Sequence, residues 1–597
     1  MAVVRTIPTL ANPDLFTFTI KVEGEAISRE FHIGTITVHK EINKIPFARF
    51  VIFDGNPADE TFAISNTSTF IPGKNIEITL GYHSQEVTVF KGIIVLHSNK
   101  ISSTSSSLTI ECKDAAVKMT IGRNSKHFNN VKDSDVAEEL IGKYGQLTAD
   151  VAATTIQHKD LVQFDTTDWD FIVSRMDSIG NICIVNDGTF TIKKPALSSP
   201  AKLDVLYGAT ILDYKGTIDA RHQFKAVNAS AWNFTNQELT EVDAIEPAWT
   251  EGGDISNTTL ADTIGLEKYK LIHSGKITEQ ELQAWADARL MKARLAKIKG
   301  SVKFQGNTDL LPGDFIGLNG VGNRFSGKAI VAAIHHDCTE GMWTTEVNFG
   351  MEPEWFAETL QHVSPLTHKG LIPSLQGLQI GIVTSLEDPE GENRVQVKLP
   401  VVSNSEDGIW ARIATLDAGN NRGSFFLPEI GDEVIIGCIN NDPSHIVILG
   451  MLNSSALPAP LTAANANNEK GYVSRDNIKM IFNDDEKSFK LETPGGNKIT
   501  LSDQDQVIKI ADQNGNKIIM ESAGITIESA SDLKLKATGD ITLEGINITL
   551  TPSSNFIVSA GGAEIKAGSG SVAIKGPLVK IEGAGITEII GGLVKIN

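Results

Sequence analysis

The sequence predicts a mainly β protein with some α. It should hold a mixed head of β-barrels with helices, a small OB-type barrel and a C-terminal intertwined trimeric β-helix, shaped as a triangular prism. Three observations carry this. Residues 521–597 place Ile or Leu at seven of ten positions spaced by eight. Residues 371–454 break into five or six short alternating runs separated by turn residues. Residues 1–365 mix alternating runs with two stretches of helical period.

The tail is the most regular part. From Glu521 to Asn597 it has twelve glycines, one aromatic (Phe556) and no His, Cys or Trp. At the chain-wide aromatic share of 6%, about five aromatics would be expected there. Apolar residues flank single polar ones, as in Ile525–Thr526–Ile527, Leu533–Lys534–Leu535 and Val579–Lys580–Ile581. Such alternation is strand chemistry, with one face for a core and one for water. Steps of eight from Ile525 meet Leu533, Ile541, Thr549, Ile557, Ile565, Ala573, Ile581, Ile589 and Asn597. Seven of these ten are Ile or Leu, which makes the pattern a repeat. Each octad reads as one short strand and one tight turn built from Gly, Ala or Ser.

A lone short strand cannot bury its apolar side. Octads of one chain could coil into a solenoid, three chains could wind together, or the runs could be edge strands of a sandwich. Ten octads make only about three coils of a single chain. Sandwich strands would be longer and richer in aromatics. The pattern favours a homotrimer, as does the resemblance given below, with Ile525, Leu533, Ile541, Ile557, Ile565, Ile581 and Ile589 as its dry core, and a single-chain solenoid stays open. Winding would close every ladder around the axis and leave no free sheet edge. The blunt end at Leu593, Ile596 and Asn597 would present apolar strand ends to a cap.

In the middle, Gln379–Glu387, Asn393–Leu399, Trp410–Ile413, Ser424–Leu427, Glu433–Ile439 and His445–Met451 read as strands. Asp388–Gly391 and Asn441–Pro443 turn between them, and Pro400 stops the second. This suggests a small OB-type barrel. Single-stranded nucleic acid would need a basic groove there. Leu371–Asn453 instead has four Lys/Arg against eleven Asp/Glu, so no nucleic-acid partner is expected.

In the head, Val22–Val38, Ile76–Leu80, Val87–Val95 and Leu108–Cys112 read as strands. Trp169, Ile172, Val173 and Met176 share one face of a helix over Asp168–Ile179, with Gly180 as its stop. A hairpin follows over Asn181–Lys193, turning at Asp187–Gly188. A longer helix is predicted over Thr278–Lys299, with Thr278 and Glu281 as a capping box and Lys292, Arg294, Lys297 and Lys299 toward its C-terminal end. Further strands reach Phe349, with Pro312–Asp314 as a turn.

The run Phe426-Leu-Pro-Glu-Ile-Gly-Asp-Glu-Val-Ile-Ile-Gly437, followed by Asn441-Asp-Pro443 and Ile448-Leu-Gly450, resembles the barrel of VgrG spike proteins. Glu492-Thr-Pro-Gly-Gly-Asn-Lys-Ile499 resembles the start of the needle in that family. The helix and hairpin over Trp169–Ile192 and the strand block Gly300–Gly350 resemble the hub domain of VgrG heads and phage baseplates, while Ala58–Phe70 and Asn233–Leu266 fit less well and read as variable loops. The resemblance implies a homotrimeric spike of a contractile injection system. Its parts would be a hub-like head (1–365), an OB barrel (371–454), a linker (455–470), a barrel-to-needle transition (471–520) and a needle (521–597). The head would dock on the hexameric inner tube and baseplate, and a PAAR-type tip protein would cap the needle. Type VI secretion, an extracellular injection particle and a tailocin share such a part. The compact length leans toward a particle-type system.

Chemistry is sparse. His335–Cys338 gathers ligand types, but neighbours on a strand point to opposite faces and cannot all meet one metal. Asp512–Asn516 hints at a calcium loop, yet Lys517 and Ala523 stand where an EF-hand needs Gly and Glu. A hairpin turn is expected instead. No HExxH, P-loop or nucleophile elbow is present, and Gly320-Val-Gly322 lacks a dinucleotide context. Ala456–Glu469 is too short to hold the lysozyme domain that phage puncturing proteins carry between barrel and needle, and the chain ends inside the octad pattern. No cofactor, metal or catalytic residue is therefore expected, and any effector would ride on a partner. An envelope-degrading enzyme and a trimeric adhesin or tail fibre are the alternatives. The net charge of −20 argues against phosphate backbones. Four scattered cysteines, Cys112, Cys183, Cys338 and Cys438, suggest no disulfide framework. Met1–Leu10 does not resemble a secretory signal. The expectation is synthesis in the cytoplasm, assembly into the particle and delivery outside the cell on contraction toward a target envelope.

Overall fold

A computed structural model describes residues 15–233, 235–275, 277–359, 375–403, 408–559 and 561–596. The chain divides into two compact units, Met1–Leu452 and Asn453–Asn597. No helix among the described residues is long and apolar enough to cross a membrane.

In the first unit the head strands alternate buried and half-exposed residues, as the sequence pattern requires. They join in one thirteen-stranded sheet. Its centre is the long strand Gly327–Thr339, paired on one side with Met342–Phe349 and on the other with Ile33–Glu41. Two apolar cores lie along this sheet. One gathers Phe50, Phe70, Ile78, Phe90 and Ile110, and the other Val302, Phe304, Ile316, Val347 and Phe349.

Several expectations need correction. The single run Val22–Val38 is broken. The strand Phe16–Val22 ends at a turn where Glu23 and Gly24 both take positive φ, and the chain resumes at Glu25–Ala26 and Ile33–Glu41. The helix predicted to reach Lys299 is Glu279–Leu295. Lys299 instead pairs with Thr217 in the strand Ile298–Gln305, where the next residue, Gly300, lies between Gly216 and Phe349 and a Cβ would stand 1.9 Å from Lys215 O. Only half of the capping box forms: Thr278 Oγ1 accepts from Glu281 N, while the Glu281 carboxylate turns to Arg175. Asn233–Leu266 is more than a loop. It holds the strand Glu238–Asp243 and the helix Asn257–Ile264. That strand joins Ala226–Asn233 and Lys268–His273 in a sheet beneath the long helix.

Helix Asp168–Ser178 forms as expected, capped by Thr167 Oγ1 on Asp170 N. Its chain reverses at Gly180, φ +79°, where Asn181 N donates back to Met176 O. The following hairpin, Ile182–Asn186 with Thr189–Lys193, turns through Asp187 and Gly188, both at positive φ.

The barrel closes through five strands: Leu378–Ser385, Val395–Lys398, Ile409–Ile413, Ile446–Met451 and Glu433–Cys438. Val383, Val395, Val397, Ala411, Val434 and Ile448 fill it. Ser424–Leu427, expected as a strand, is not one; the strand pairing stops just before it, in the short hairpin of Ala418–Gly419 with Arg422–Gly423.

The second unit opens with a seven-stranded antiparallel meander: Glu469–Val473, Lys479–Asn483, Ser488–Glu492, Lys498–Ser502, Val507–Ala511, Lys517–Glu521 and Gly524–Glu528. Consecutive strands pair through short polar turns. One is Asp512–Asn516, where the Asp512 carboxylate accepts from Asn514 N and Asn516 N. The hairpin reading of that segment holds.

Candidate functional site

The octads were expected to carry the function, and the structure gives their single-chain state. Ile525 lies in the last meander strand, opposite Met520. Beyond Glu528 the described residues form no strand. Ile525, Leu533, Ile541, Ile557, Ile565, Ile581 and Ile589 are between 54% and 79% exposed. A single-chain solenoid would pair successive octads and bury these side chains. The one chain does neither. Leu593 and Ile596 are also open to solvent. Asn597 lies outside the described residues.

The barrel adds a feature that the sequence reading passed over. Leu378, Ile380, Leu449 and Met451 stand exposed on the outside of adjoining strands, where Leu378 and Leu449 flank Gly437. The signal was present, because each of these strands is apolar on both of its faces. Leu416, Phe425 and Ile430, in the loops, are exposed as well.

Candidate chemistry resolves into structure. His335 to Cys338 sit on one strand and alternate in burial, with His336 and Cys338 inside. His336 Nδ1 lies 3.0 Å from Thr345 Oγ1. Burial, with Lys40 and His335 nearby, pushes its pKa down to about 3. Burial also raises the thiols of Cys112, Cys183 and Cys338, so these are unreactive thiols. Among the described residues no group of three or more His, Cys, Asp and Glu is placed to hold a metal.

Two buried polar clusters escaped sequence reasoning, since their members are far apart in the chain. His158 Nε2 lies 2.7 Å from Asp133 Oδ2, and Arg175 donates to Asp133 Oδ1 at 2.9 Å and to Glu281 Oε1 at 3.3 Å. These ion pairs hold Asp133 below the usual carboxylate range against the burial that would raise it. Lys292 donates to both oxygens of Asp177 at 2.7 and 2.8 Å, and Phe356 N donates to Asp177 Oδ2 at 2.8 Å. Each cluster ties separate elements together and uses its groups on one another. They act as clamps within the head.

Comparison with known proteins follows the same order along the chain. Residues 12–340, more than half of the chain, match the family model of the Alg8 N-terminal domain. Residues 379–452 match the type VI secretion system/phage-baseplate injector OB domain. Residues 488–550 match the phage baseplate V C-terminal trimerisation domain. The type VI secretion system spike protein VgrG3 of Vibrio cholerae is 32% identical over 99 residues, covering 15% of this chain and 9% of that protein. VgrG1a of Pseudomonas aeruginosa is 29% identical over 115 residues, 17% of each. The matched stretch thus spans about a tenth to a sixth of the curated relatives' length. Looser likenesses of fold include a tail protein from Neisseria meningitidis (TM-score 0.43, 15% identity, 57% of this chain and 98% of that one). Another is the E. coli c3393 protein, a type VI secretion component (TM-score 0.38, 11% identity, 72% of this chain and 99% of that one). With its head, barrel and tail each matched in order, the chain belongs to the Alg8 N-terminal domain family and is a VgrG-like spike or baseplate-type protein of type VI or phage-like injection systems.

Proposed function

We propose that the chain is a non-enzymatic homotrimeric spike at the front of a contractile injection apparatus. The head (1–365) joins the hexameric inner tube and baseplate, and the barrel (371–454) leads by a linker (455–470) and a transition (471–520) into the needle (521–597). Three tails wind into a prism around the octad Ile and Leu residues. The prism transmits the force of contraction into a target envelope, and a PAAR-type tip protein covers Leu593, Ile596 and Asn597. Effectors ride on partners. The spike is made in the cytoplasm and leaves it when the apparatus contracts.

One observation carries this reading. An apolar row of seven Ile and Leu at eight-residue spacing is left open to water, without strand partners beyond Glu528 among the described residues, in a tail that matches a trimerisation domain over residues 488–550. Exposed apolar rows of this length mark a surface awaiting a partner. Three identical rows satisfy one another at every level, with symmetric closure.

Solution mass by light scattering tests it, on the full chain and on a version ending at Ser454. The full chain is expected at three chains and resistant to heat and detergent, with the shorter version less stable. A full-length monomer would withdraw the wound needle and the piercing role together.

A further inference from the structure

The long helix Glu279–Leu295 carries a buried cation outside the two clusters already described. Arg289 is 5% exposed, yet among the described residues no carboxylate is bonded to it. Its Nη1 donates to Pro353 O, and its buried Nε has no partner there. Three rings surround it instead. The guanidinium carbon lies 4.9 Å from the centre of the Tyr269 ring, 5.7 Å from Phe224 and 6.0 Å from Trp355. Ring faces attract a desolvated cation and offset part of the cost of burying it. A position that only filled space would take Met without that cost. The guanidinium therefore holds something that an apolar side chain cannot.

What it holds is the exit of the head. The last head strand stops at Phe349, and the first barrel strand starts at Leu378. The residues between them are the only covalent path from head to barrel. Pro353 lies buried on that path, outside any ladder, and Arg289 is the donor to its carbonyl. A buried carbonyl needs such a donor. Lys292, one turn along the same helix, repeats the arrangement. Its Nζ lies 5.2 Å from the centre of the Trp355 ring and donates to both oxygens of Asp177, which also accepts from Phe356 N. Two buried cations and one buried carboxylate thus converge on four consecutive residues, 353–356.

The path is held elsewhere too. Upstream, the next backbone hold is Met351 N on Leu295 O, at 3.1 Å. Downstream, Leu375 N donates to Asn441 O at 2.9 Å, and the Leu375 side chain packs on the barrel core. Asn440 and Asn441 both take positive φ at that point. Consecutive left-handed residues other than glycine are costly, and here they sit where the barrel receives the chain. Eighteen residues, 357–374, separate the two pins.

We propose that Arg289, Lys292 and Asp177 form a clasp that fixes where the head releases its chain, and so sets the free length of the tether to the barrel. Opening it would add residues 352–356 to the tether, up to about 17 Å of chain. The use of the clasp rests on the spike reading above. In a spike under axial load, the share of the load carried by the chain itself would enter the head at the long helix. The strand Met342–Phe349 would then be spared peeling from its sheet.

The test is mechanical and uses the full chain. Handles are attached at Tyr207→Cys in the head and Asn420→Cys in the barrel, both exposed positions, in a Cys438→Ser background that leaves only buried cysteines besides. Pulling is expected to show a step of up to about 17 Å before the head or the barrel unfolds. Arg289→Met keeps much of the bulk and loses the charge. It should show no step, because its tether is already released. In the same variant the Phe356 amide should exchange with solvent roughly tenfold faster, while the amides of Ala226–Asn233, beneath the helix, stay protected. Should Arg289→Met fail to fold, Trp355→Ala weakens the clasp from the tether side and should lower the force of the step. A wild type without the step, a step of unchanged size and force in the variants, or an unchanged Phe356 amide would overturn the clasp. Those results leave the spike reading standing. A monomeric wild type would overturn the spike and the load it carries, while the step and the amide would still report the clasp.

Discussion

At the scale of the residue, the most informative group is His336. It is buried between Ile33–Glu41 and Met342–Phe349, opposite Val38 and Thr345. Lys40, itself buried and paired with Asp187 at 3.2 Å, adds positive charge on the neighbouring strand, and His335 adds more when protonated. The ring therefore stays neutral when folded, with its pKa pushed down to about 3 from the ordinary 6.5. The unfolded chain takes up this proton near pH 6.5, and the folded chain only near pH 3. The stability that His336 contributes is complete above pH 6.5 and is lost as the pH falls toward 3. The slope is at most about 1.4 kcal/mol per pH unit. His336→Gln should flatten this part of the pH dependence, read as urea midpoints of wild type and variant at pH 7 and 4.5. Parallel shifts in the two proteins would show that His336 is not the group responsible. The sequence displayed His336 within a ligand-like cluster, and strand alternation argued against a shared metal. Its burial beside Lys40 was not legible, because that depends on a pairing nearly 300 residues away in the chain.

At the scale of the element, short-range pattern was read well where local chemistry decides the structure. The hairpin at Asp187–Gly188 and the barrel strands around Val395 and Val434 follow from alternation and turn residues. Ends were misread where a distant strand decides them. The long helix stops at Leu295 because the chain beyond it is claimed by the large sheet, a claim that helix-favouring Lys297 and Lys299 conceal. The meander was taken only as a transition. Its turns at Asn483–Lys487 and Asp503–Gln506 are polar and glycine-free, which weakens the hairpin signal. The barrel supplies an element-scale prediction. Gly408 has φ +94°, and a Cβ there would stand 2.0 Å from Val397 O, inside the ladder to Val395–Lys398. Gly431 has the same φ with open space around it. Gly408→Ala should destabilise the barrel by roughly 2–5 kcal/mol, combining backbone strain with a backbone clash. Gly431→Ala should cost only the strain, about 1 kcal/mol. Denaturant unfolding of the two variants checks this, and equal losses would mean that the strand start at Gly408 is placed differently.

At the scale of the whole molecule, the octad row was legible because it repeats, and its state in one chain was not. Periodicity tells which side chains want a core, and it does not say who provides it. The row itself contains an internal test of the wound trimer. Thr549 occupies an octad position filled by Ile or Leu at seven of the ten places in the row. In a threefold prism three Thr549 side chains would meet on the axis, each bringing a hydroxyl to a dry level. Replacing them by Ile exchanges three hydroxyls for three ethyl groups per level. Each added buried methylene contributes about 0.8 kcal/mol where space allows. Thr549→Ile is therefore expected to raise the temperature at which the full-length trimer falls apart in detergent. Thr542→Ile, at the polar position between Ile541 and Leu543, serves as the comparison. If Thr549 instead faces water, the new Ile gains nothing, and the variant keeps its melting temperature while its solubility falls. That outcome would mean the octads are phased differently from the row beginning at Ile525. The needle would then need a different core, whatever the number of chains that form it.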